Sequence, residues 1–331
     1  MELLVFPFNR RLHVQPGANL LEQLRAHDVP VSYSCTDGRC GLCRCQVLVG
    51  DVLDCGHELD NPSTQLDDTR HVLACQTILT ESCTIRILEP EEVVVHAAQA
   101  FRATVSGLEK VGREVIRLRL LPPRRFDFSP GQYATLQFAP GLVRPYSMAS
   151  VNSDRELEFH VAVVDGGHVT PYIADRLRLG DIVRVSGPLG TSFLRRNKCD
   201  PMLCVAAGTG LAPVLSIVRG AAATWNATPI HVYYGAQSET ELYGADLLRS
   251  VASQYANVHV SVAAGTSTRS TDIQHGLIID RIAATQNDLS DWRGYFFGSP
   301  LVVEATTLLV KRLGMRRDRI HGDAFYPSGI Q

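Results

Sequence analysis

Residues 33–45 read Tyr33-Ser34-Cys35-Thr36-Asp37-Gly38-Arg39-Cys40-Gly41-Leu42-Cys43-Arg44-Cys45, three cysteines in the pattern C-x4-C-x2-C with a fourth two residues on. The chain has nine cysteines in 331 residues, and four of them fall within this stretch. In a reducing compartment disulfides are not expected, and clustered thiols bind metal. One more candidate, Cys75, lies in Val72-Leu73-Ala74-Cys75-Gln76. Zinc sites usually pair C-x2-C with a second close pair, and here the distant cysteine is isolated. Two irons bridged by sulfide need two thiolates each, which suits three cysteines on one loop and a fourth far along the chain. Gly38 and Gly41 let the backbone fold round the sulfides and point N–H groups at them. The expected ligands of a 2Fe-2S cluster are therefore Cys35, Cys40, Cys43 and Cys75. Cys45 is expected to be a packed thiol, and Cys55, Cys83, Cys199 and Cys204 ordinary core or surface thiols.

Around this loop the chain alternates short β patterns with one short helix. Residues 3–8 and 12–14 read as a hairpin around Asn9-Arg10, and Leu20, Leu21 and Leu24 give helical spacing over 19–27. Residues 46–53 and 84–88 read as strands, so the first 90 residues suggest a β-grasp domain. Glu89-Pro90-Glu91-Glu92 marks a boundary, with a linker over 91–98. Residues 99–198 follow, with strand-like runs at 115–121, 133–138, 157–164 and 182–185 and one helix over 171–179. Runs of this kind, punctuated by proline and glycine, predict an antiparallel barrel or sandwich. From 199 to 331 the rhythm changes. Strands at 202–206, 230–234, 258–262 and 295–297 alternate with helical stretches, the first over 212–223, which implies a parallel sheet. The whole is a multidomain α+β and α/β chain.

Three segments outside the cysteine loop carry chemistry. Arg144-Pro145-Tyr146-Ser147 stands near the turn Ser129-Pro130-Gly131-Gln132. An arginine there can pair a phosphate in a bidentate manner, although read alone the four residues also fit a plain β turn. Gly166-Gly167-His168-Val169-Thr170 opens the predicted helix of the middle domain with small residues and a hydroxyl, which suits a pyrophosphate. Met202 to Pro213 is strand, then Gly208-Thr209-Gly210, then helix start. Such a turn brings backbone close to a pyrophosphate and offers the free N–H groups and dipole of a helix N-terminus, with Pro213 fitting the first turn. It is not the pattern G-x-G-x-x-G, and a tight strand–helix turn is its bland alternative.

Taken together the segments resemble, over essentially the whole chain, the reductases that serve bacterial aromatic-ring oxygenases, within the ferredoxin–NADP reductase superfamily. The cysteine stretch is similar to a plant-type ferredoxin domain, Arg144-Pro145-Tyr146-Ser147 to the superfamily's flavin signature, and Gly208–Pro213 to its GGTGLAP loop, with Ala206 and Ala207 where relatives carry glycine. Pro130-Gly-Gln-Tyr-Ala-Thr-Leu-Gln-Phe, Gly187-Pro-Leu-Gly-Thr and Asp323-Ala-Phe-Tyr-Pro strengthen the likeness. The resemblance implies a β-grasp 2Fe-2S domain, an FAD-binding β-barrel and an NAD-binding α/β domain. It implies that Arg144, Pro145, Tyr146, Ser147, Gly167, His168, Val169 and Thr170 bind FAD, with Ser147 near the flavin N5 and Phe325 beside the ring as the catalytic pair. It implies a dinucleotide held by Gly208, Thr209, Gly210, Pro213, Gly235, Gln237, Gly298, Ser299 and Pro300. Relatives carry arginine where this chain has Gln237, and Glu239 and Glu241 add negative charge, so NADH is expected over NADPH. Phe297 replaces the family's cysteine, so the family role of that thiol does not carry over to this chain.

The cofactor inventory implies a direction. Nicotinamide gives electrons in pairs and an iron–sulfur cluster takes them singly, so a flavin belongs between them. The expected activity is that of a ferredoxin–NAD(P)(+) reductase. The expected acceptor is a Rieske-type ferredoxin, or the oxygenase itself. A reductase of another terminal enzyme, such as a diiron monooxygenase or a deoxysugar dehydrase, is the alternative, and a non-catalytic iron–sulfur sensor a more distant one. Net charge is −2, which argues against nucleic acid. Charge is uneven, however, with twelve acidic and seven basic residues in the first 90. No basic n-region precedes the apolar start, and the apolar stretch 202–223 is broken by Gly208, Gly210, Pro213 and Arg219. A cytoplasmic, monomeric protein without a membrane span is expected.

Overall fold

The computed structural model describes residues 1–27, 29, 31, 33, 38, 43–55, 70–87, 96, 98–164, 166–195, 199–266 and 270–326. The chain divides into two compact units, Met1–Val93 with Leu189–Thr191, and Val94–Pro188 with Ser192–Gln331. Most of the linker expected over 91–98 lies outside the described residues.

The first unit contains β1 (Glu2–Phe6), β2 (Arg10–His13), α1 (Leu20–Ala26), β3 (Arg44–Val49), β4 (Val52–Asp54), β5 (Arg70–Leu73), β6 (Thr77–Leu79) and β7 (Cys83–Ile87). Its main sheet runs β2-β1-β7-β3-β5, with β4 and β6 as a separate pair. The strands β1 and β7 pair in parallel, and β3 lies antiparallel to β7 and β5. Leu20, Leu21 and Leu24, spaced to share one helical face, are buried with Leu3, Val5 and Ile85 from the sheet. Asn19 caps α1, its Oδ1 accepting the Glu22 N–H at 3.2 Å. The single strand expected over 46–53 is in fact two. Gly50 turns the chain at φ +88, and a Cβ there would stand 2.7 Å from the Ser82 carbonyl oxygen. The alternating apolar pattern runs straight through that turn, so periodicity alone did not mark it.

The second unit opens with β8 (Gln99–Lys110), β9 (Val115–Leu121), β10 (Tyr133–Ala139), β11 (Leu142–Ser147), β12 (Leu157–Ala162), α2 (Thr170–Asp175) and β13 (Ile182–Leu189). The sheet order is β11-β10-β13-β8-β9-β12. An antiparallel bridge between Met148 and Phe159 joins its two edges and curls it into a barrel. Leu118, Leu136, Phe159 and Val183 fill the inside. The twelve-residue β8 stands where no strand was expected, because Arg102, Ser106, Gly107 and Glu109 interrupt its apolar run. The helix expected over 171–179 stops at Asp175.

The same unit continues with β14 (Met202–Ala207), α3 (Leu211–Ala222), β15 (Ile230–Ala236), α4 (Ala245–Gln254), β16 (Val258–Ala264), β17 (Gln274–His275), α5 (Ile278–Thr285), β18 (Arg293–Gly298), α6 (Pro300–Arg312) and β19 (Ile320–Ala324). All neighbours pair in parallel, in the order β17-β16-β15-β14-β18-β19. The helices α3 and α4 bury Val214, Ile217, Val218 and Leu248 on one face, and α5 and α6 bury Ile282 and Val310 on the other. The chain enters at β14, winds outward to β17, then returns to the other side of β14. That reversal puts a crevice at the carboxyl ends of β14 and β18, where open α/β sheets bind their ligands. Barrel and parallel sheet are tied within this unit. Arg219 of α3 forks onto Asp154 with two 2.8 Å bonds, and Ser216 donates to the Ser150 carbonyl at 2.5 Å. Among the described residues no helix is long and apolar enough to cross a membrane.

Candidate redox cofactor sites

In the first unit β3 and β5 bring Cys43 and Cys75 together. Cys43 ends the loop just before β3, and Cys75 sits in a short 3-10 turn, Ala74–Gln76, just after β5. The Cys75 N–H donates to Cys43 Sγ at 3.5 Å, and the Ala74 N–H to the Cys43 carbonyl at 2.9 Å. Both thiols are buried, and a thiolate that accepts a backbone N–H is a donor suited to iron. Cys35 and Cys40 lie outside the described residues, as does most of their loop. Cys45 behaves as expected of a packed thiol: it is fully buried, with its pKa pushed up to about 12 by that burial.

The barrel presents its edge strand β11. All six of its residues are half-buried, in contrast with the alternating strands beside it, so neither face is fully sealed. Arg144 stands opposite Leu136 and Ser147 opposite Tyr133. The Arg144 guanidinium bonds the Val143 carbonyl at 2.9 Å. The Tyr146 hydroxyl is buried and has no hydrogen-bond partner, and the hydroxyl of Thr135 on β10 is in the same condition. Burial pushes the Tyr146 pKa above its ordinary range, with Arg144 pulling weakly the other way, so the hydroxyl stays protonated. Two buried hydroxyls without partners leave hydrogen-bonding capacity for a polar group such as a ribityl chain, which fits the flavin reading. Gly167 and Val169 precede α2, and Val169 is buried while His168 is exposed. Thr170 does not stand ready for a phosphate. Its hydroxyl closes the loop on Val164, accepting the N–H at 3.0 Å and donating to the carbonyl at 3.3 Å.

The crevice of the parallel sheet is built backbone on backbone. Gly208, Thr209 and Gly210 form a 3-10 turn between β14 and α3, with Pro213 in the first turn of α3. A Cβ on Gly210 would overlap the Phe297 carbonyl group. Gly298, at φ +135, would with a Cβ stand 2.5 Å from the Ala207 carbonyl oxygen. Ser299 precedes α6, whose first residue is Pro300. The Phe325 N–H donates to the Gly298 carbonyl at 2.7 Å, so Gly210, Gly298 and Phe325 converge on one point. Phe297 stands where the family has cysteine. Its side chain is fully buried in the core with α3, and backbone is what reaches the crevice. Gly235 is also buried, its Cα covered by Ile278, so its bare Cα answers a packing need. Gln237 is exposed on a separate loop, and its N–H donates to the Glu241 carboxylate at 3.3 Å. The same carboxylate accepts the Ser238 hydroxyl at 2.7 Å.

One buried acid escaped the reading of the sequence. Asp323 on β19 accepts the Ser192 hydroxyl at 2.9 Å, and burial raises its pKa to about 6 against the lowering effect of that bond. The partner lies 131 residues away, and no local pattern announces such a pair.

Comparison with known proteins follows the same division. Residues 5–80 match the 2Fe-2S iron-sulfur cluster binding domain, 102–193 the oxidoreductase FAD-binding domain, and 204–307 the oxidoreductase NAD-binding domain. Over 330 residues, with 100% of both chains covered, the sequence is 48% identical to a relative from a Ralstonia species. That relative is the ferredoxin–NAD(P)(+) reductase component of the naphthalene 1,2-dioxygenase/salicylate 5-hydroxylase systems. The corresponding component of the Pseudomonas putida naphthalene 1,2-dioxygenase system is 46% identical over the same 330 residues, again with 100% of both covered. The crystal structure of the Amycolatopsis cytochrome P450 reductase GcoB superposes with a TM-score of 0.82 at 30% identity, covering 99% of each chain.

Proposed function

The chain belongs to the family of ferredoxin–NAD(P)(+) reductase components that carry 2Fe-2S, FAD-binding and NAD-binding domains in one polypeptide, and on that premise we propose that it supplies a Rieske-type ferredoxin of an aromatic ring-hydroxylating dioxygenase. The full-length similarity to two such reductase components is the observation that carries the acceptor. Bound flavin supplies the conversion between electron pairs from the dinucleotide and single electrons for the cluster.

In this reading each side chain has a bounded task. Arg144 pairs a flavin phosphate, and the Tyr146 hydroxyl donates to the sugar-like chain. Ser147, at the end of β11, and Phe325 would be the residues that meet the flavin ring. Gly167, His168, Val169 and Thr170 would line the phosphate end. The Gly208–Gly210 turn and the start of α3 take the dinucleotide pyrophosphate on free N–H groups. Gly298, Ser299 and Pro300 border the nicotinamide end, and Gln237 the adenosine ribose. Cys35, Cys40, Cys43 and Cys75 hold the cluster. The protein acts in the cytoplasm, a reading supported by clustered thiols that need a reducing compartment.

The test is a pair of assays on one variant. Cys75→Ser, loaded with FAD, is expected to oxidise NADH with ferricyanide at close to the wild-type rate while reduction of a Rieske-type ferredoxin collapses. Loss of both activities would refute the linear route. A wild-type protein that reduces a diiron monooxygenase but no Rieske-type ferredoxin would refute the acceptor.

A further inference from the structure

We propose that Gln76 is a positioning residue that raises the reduction potential of the cluster, by donating its side-chain N–H to the sulfur of Cys75. The proposal rests on Cys75 being a cluster ligand.

The turn that carries both residues is pinned on every side. Asn19 uses both ends of its carboxamide: Oδ1 caps α1, and Nδ2 donates to the Cys75 carbonyl at 2.9 Å. The Cys75 N–H is taken by Cys43 Sγ, and the Gln76 carbonyl accepts the Cys55 N–H at 2.8 Å. The Thr77 hydroxyl donates back to the Leu73 carbonyl at 2.8 Å. The main chain at Gln76 is thereby fixed, and what its side chain packs on sets the side chain's direction.

That direction is toward the cluster loop. A Cβ on Gly38, within C-x4-C, would lie 3.0 Å from Gln76 Cγ, so the glutamine stem packs on the loop's bare glycine. Its amide nitrogen stands 3.8 Å from Cys75 Sγ and 3.4 Å from the Cys75 carbonyl oxygen. Carbonyl oxygen and ligating thiolate are both acceptors, so the group facing them is the NH2 and not the oxygen. With two protons it can serve both. A donor on a ligand sulfur stabilises the extra negative charge of the reduced cluster, and hydrogen bonds to the sulfurs are among the factors that set such potentials.

The test uses the full-length protein with both cofactors bound. Gln76→Glu keeps the length of the side chain and its packing on Gly38 but replaces donor with carboxylate. Gln76→Leu removes the donor without adding charge. In potentiometric titrations followed by electron paramagnetic resonance, both are expected to lower the cluster's midpoint potential, Glu more than Leu. Unchanged potentials with the cluster retained would overturn the proposal. Should a variant lose its cluster, the wild-type protein carries the decision. After labelling with glutamine bearing 15N at the side-chain amide, the reduced cluster is expected to show a 15N hyperfine coupling, and absence of that coupling overturns the proposal. Cys75→Ser separates the premise from the proposal. A cluster with unaltered spectrum in that variant would remove Cys75 as ligand, whereas a lost or altered one beside unmoved Gln76 variants would remove the role of Gln76 alone.

Discussion

His160 Nδ1 lies 2.8 Å from the Tyr243 hydroxyl, joining strand β12 of the barrel to the segment that leads into α4 of the parallel-sheet domain. The His160 Nε2 meets the Glu158 carboxylate at 3.1 Å, and the rings of His160 and Tyr243 meet edge to face at 5.4 Å. In the tautomer whose Nε2 donates to the carboxylate, Nδ1 accepts the tyrosine proton. Burial pushes the Glu158 pKa up, but the His160 bond and the charges of Arg117 and Arg119 bring it below its ordinary value. The His160 side chain is 0% exposed, so loss of the bond leaves a buried nitrogen without a partner. Tyr243→Phe is expected to cost about 1–3 kcal/mol, read as a shift of the urea midpoint of the flavin-loaded protein. Combined with His160→Gln, the loss should fall short of the sum of the two single losses. Strictly additive losses would show that the pair contributes nothing to the contact between barrel and sheet.

Arg144→Ala is expected to weaken FAD retention by roughly tenfold to a hundredfold, the equivalent of a charge-assisted hydrogen bond of about 1.5–3 kcal/mol. The readout is the FAD dissociation constant from fluorescence titration of the apoprotein. The fold should be preserved, because the arginine's own bond is to the adjacent Val143 carbonyl. An unchanged constant would exclude Arg144 as a phosphate ligand.

Asp323 gives a pH dependence with a defined sign. Its carboxyl is raised from 3.8 to about 6 by burial, so the folded state prefers the protonated form. The stability this gives is complete below about pH 4 and is lost as pH rises through 6, on the order of 3 kcal/mol in all. Asp323→Asn can still accept the Ser192 hydroxyl but has no charge to bury. The variant should melt close to wild type at pH 4 and above it at pH 8. Equal melting at both pH values would mean that the buried carboxylate finds compensation when ionised.

On the proposed placement of the adenosine ribose at Gln237, the loop after β15 sets the dinucleotide preference. The Glu241 carboxylate is held there by the Gln237 N–H and the Ser238 hydroxyl, which fixes a negative charge where the 2′-phosphate of NADPH would add another. The ratio of kcat/KM for NADH to that for NADPH should therefore exceed one. Gln237→Arg should narrow it by improving NADPH use. A wild-type ratio below one would sink the preference, and an Arg variant with unaltered NADPH kinetics would sink its cause.

Much of the architecture is legible in the sequence, because its signals are local. Cysteine spacing fixes a cluster loop within eleven positions, and a strand ending in Gly208-Thr209-Gly210 before Pro213 carries its own geometry. The strand β8 went unseen because its buried positions are separated by charged and polar residues that only a barrel neighbour explains. The break at Gly50 depends on the chain beside it, Ser82 and Cys83, and not on its own flanks. Phe297 stands at a motif position beside the crevice, yet its side chain completes the core beneath α3. The pairs His160–Tyr243 and Ser192–Asp323 span 83 and 131 residues, distances over which composition and periodicity carry no information. Polar pairing at long range is what the fold adds.

The meeting of Gly210 with Phe297, and of Gly298 with Ala207, bears on any attempt to re-engineer the crevice. Its floor is main chain touching main chain, so trimming side chains cannot widen it and enlarging them cannot narrow it without forcing β14 and β18 apart. A library randomised at positions 210 and 298 would return glycine at both. On the proposed placement of the adenosine ribose, changes of cofactor are to be sought in the loop from Gln237 to Glu241, where a substitution alters charge without disturbing the joint on which the sheet turns.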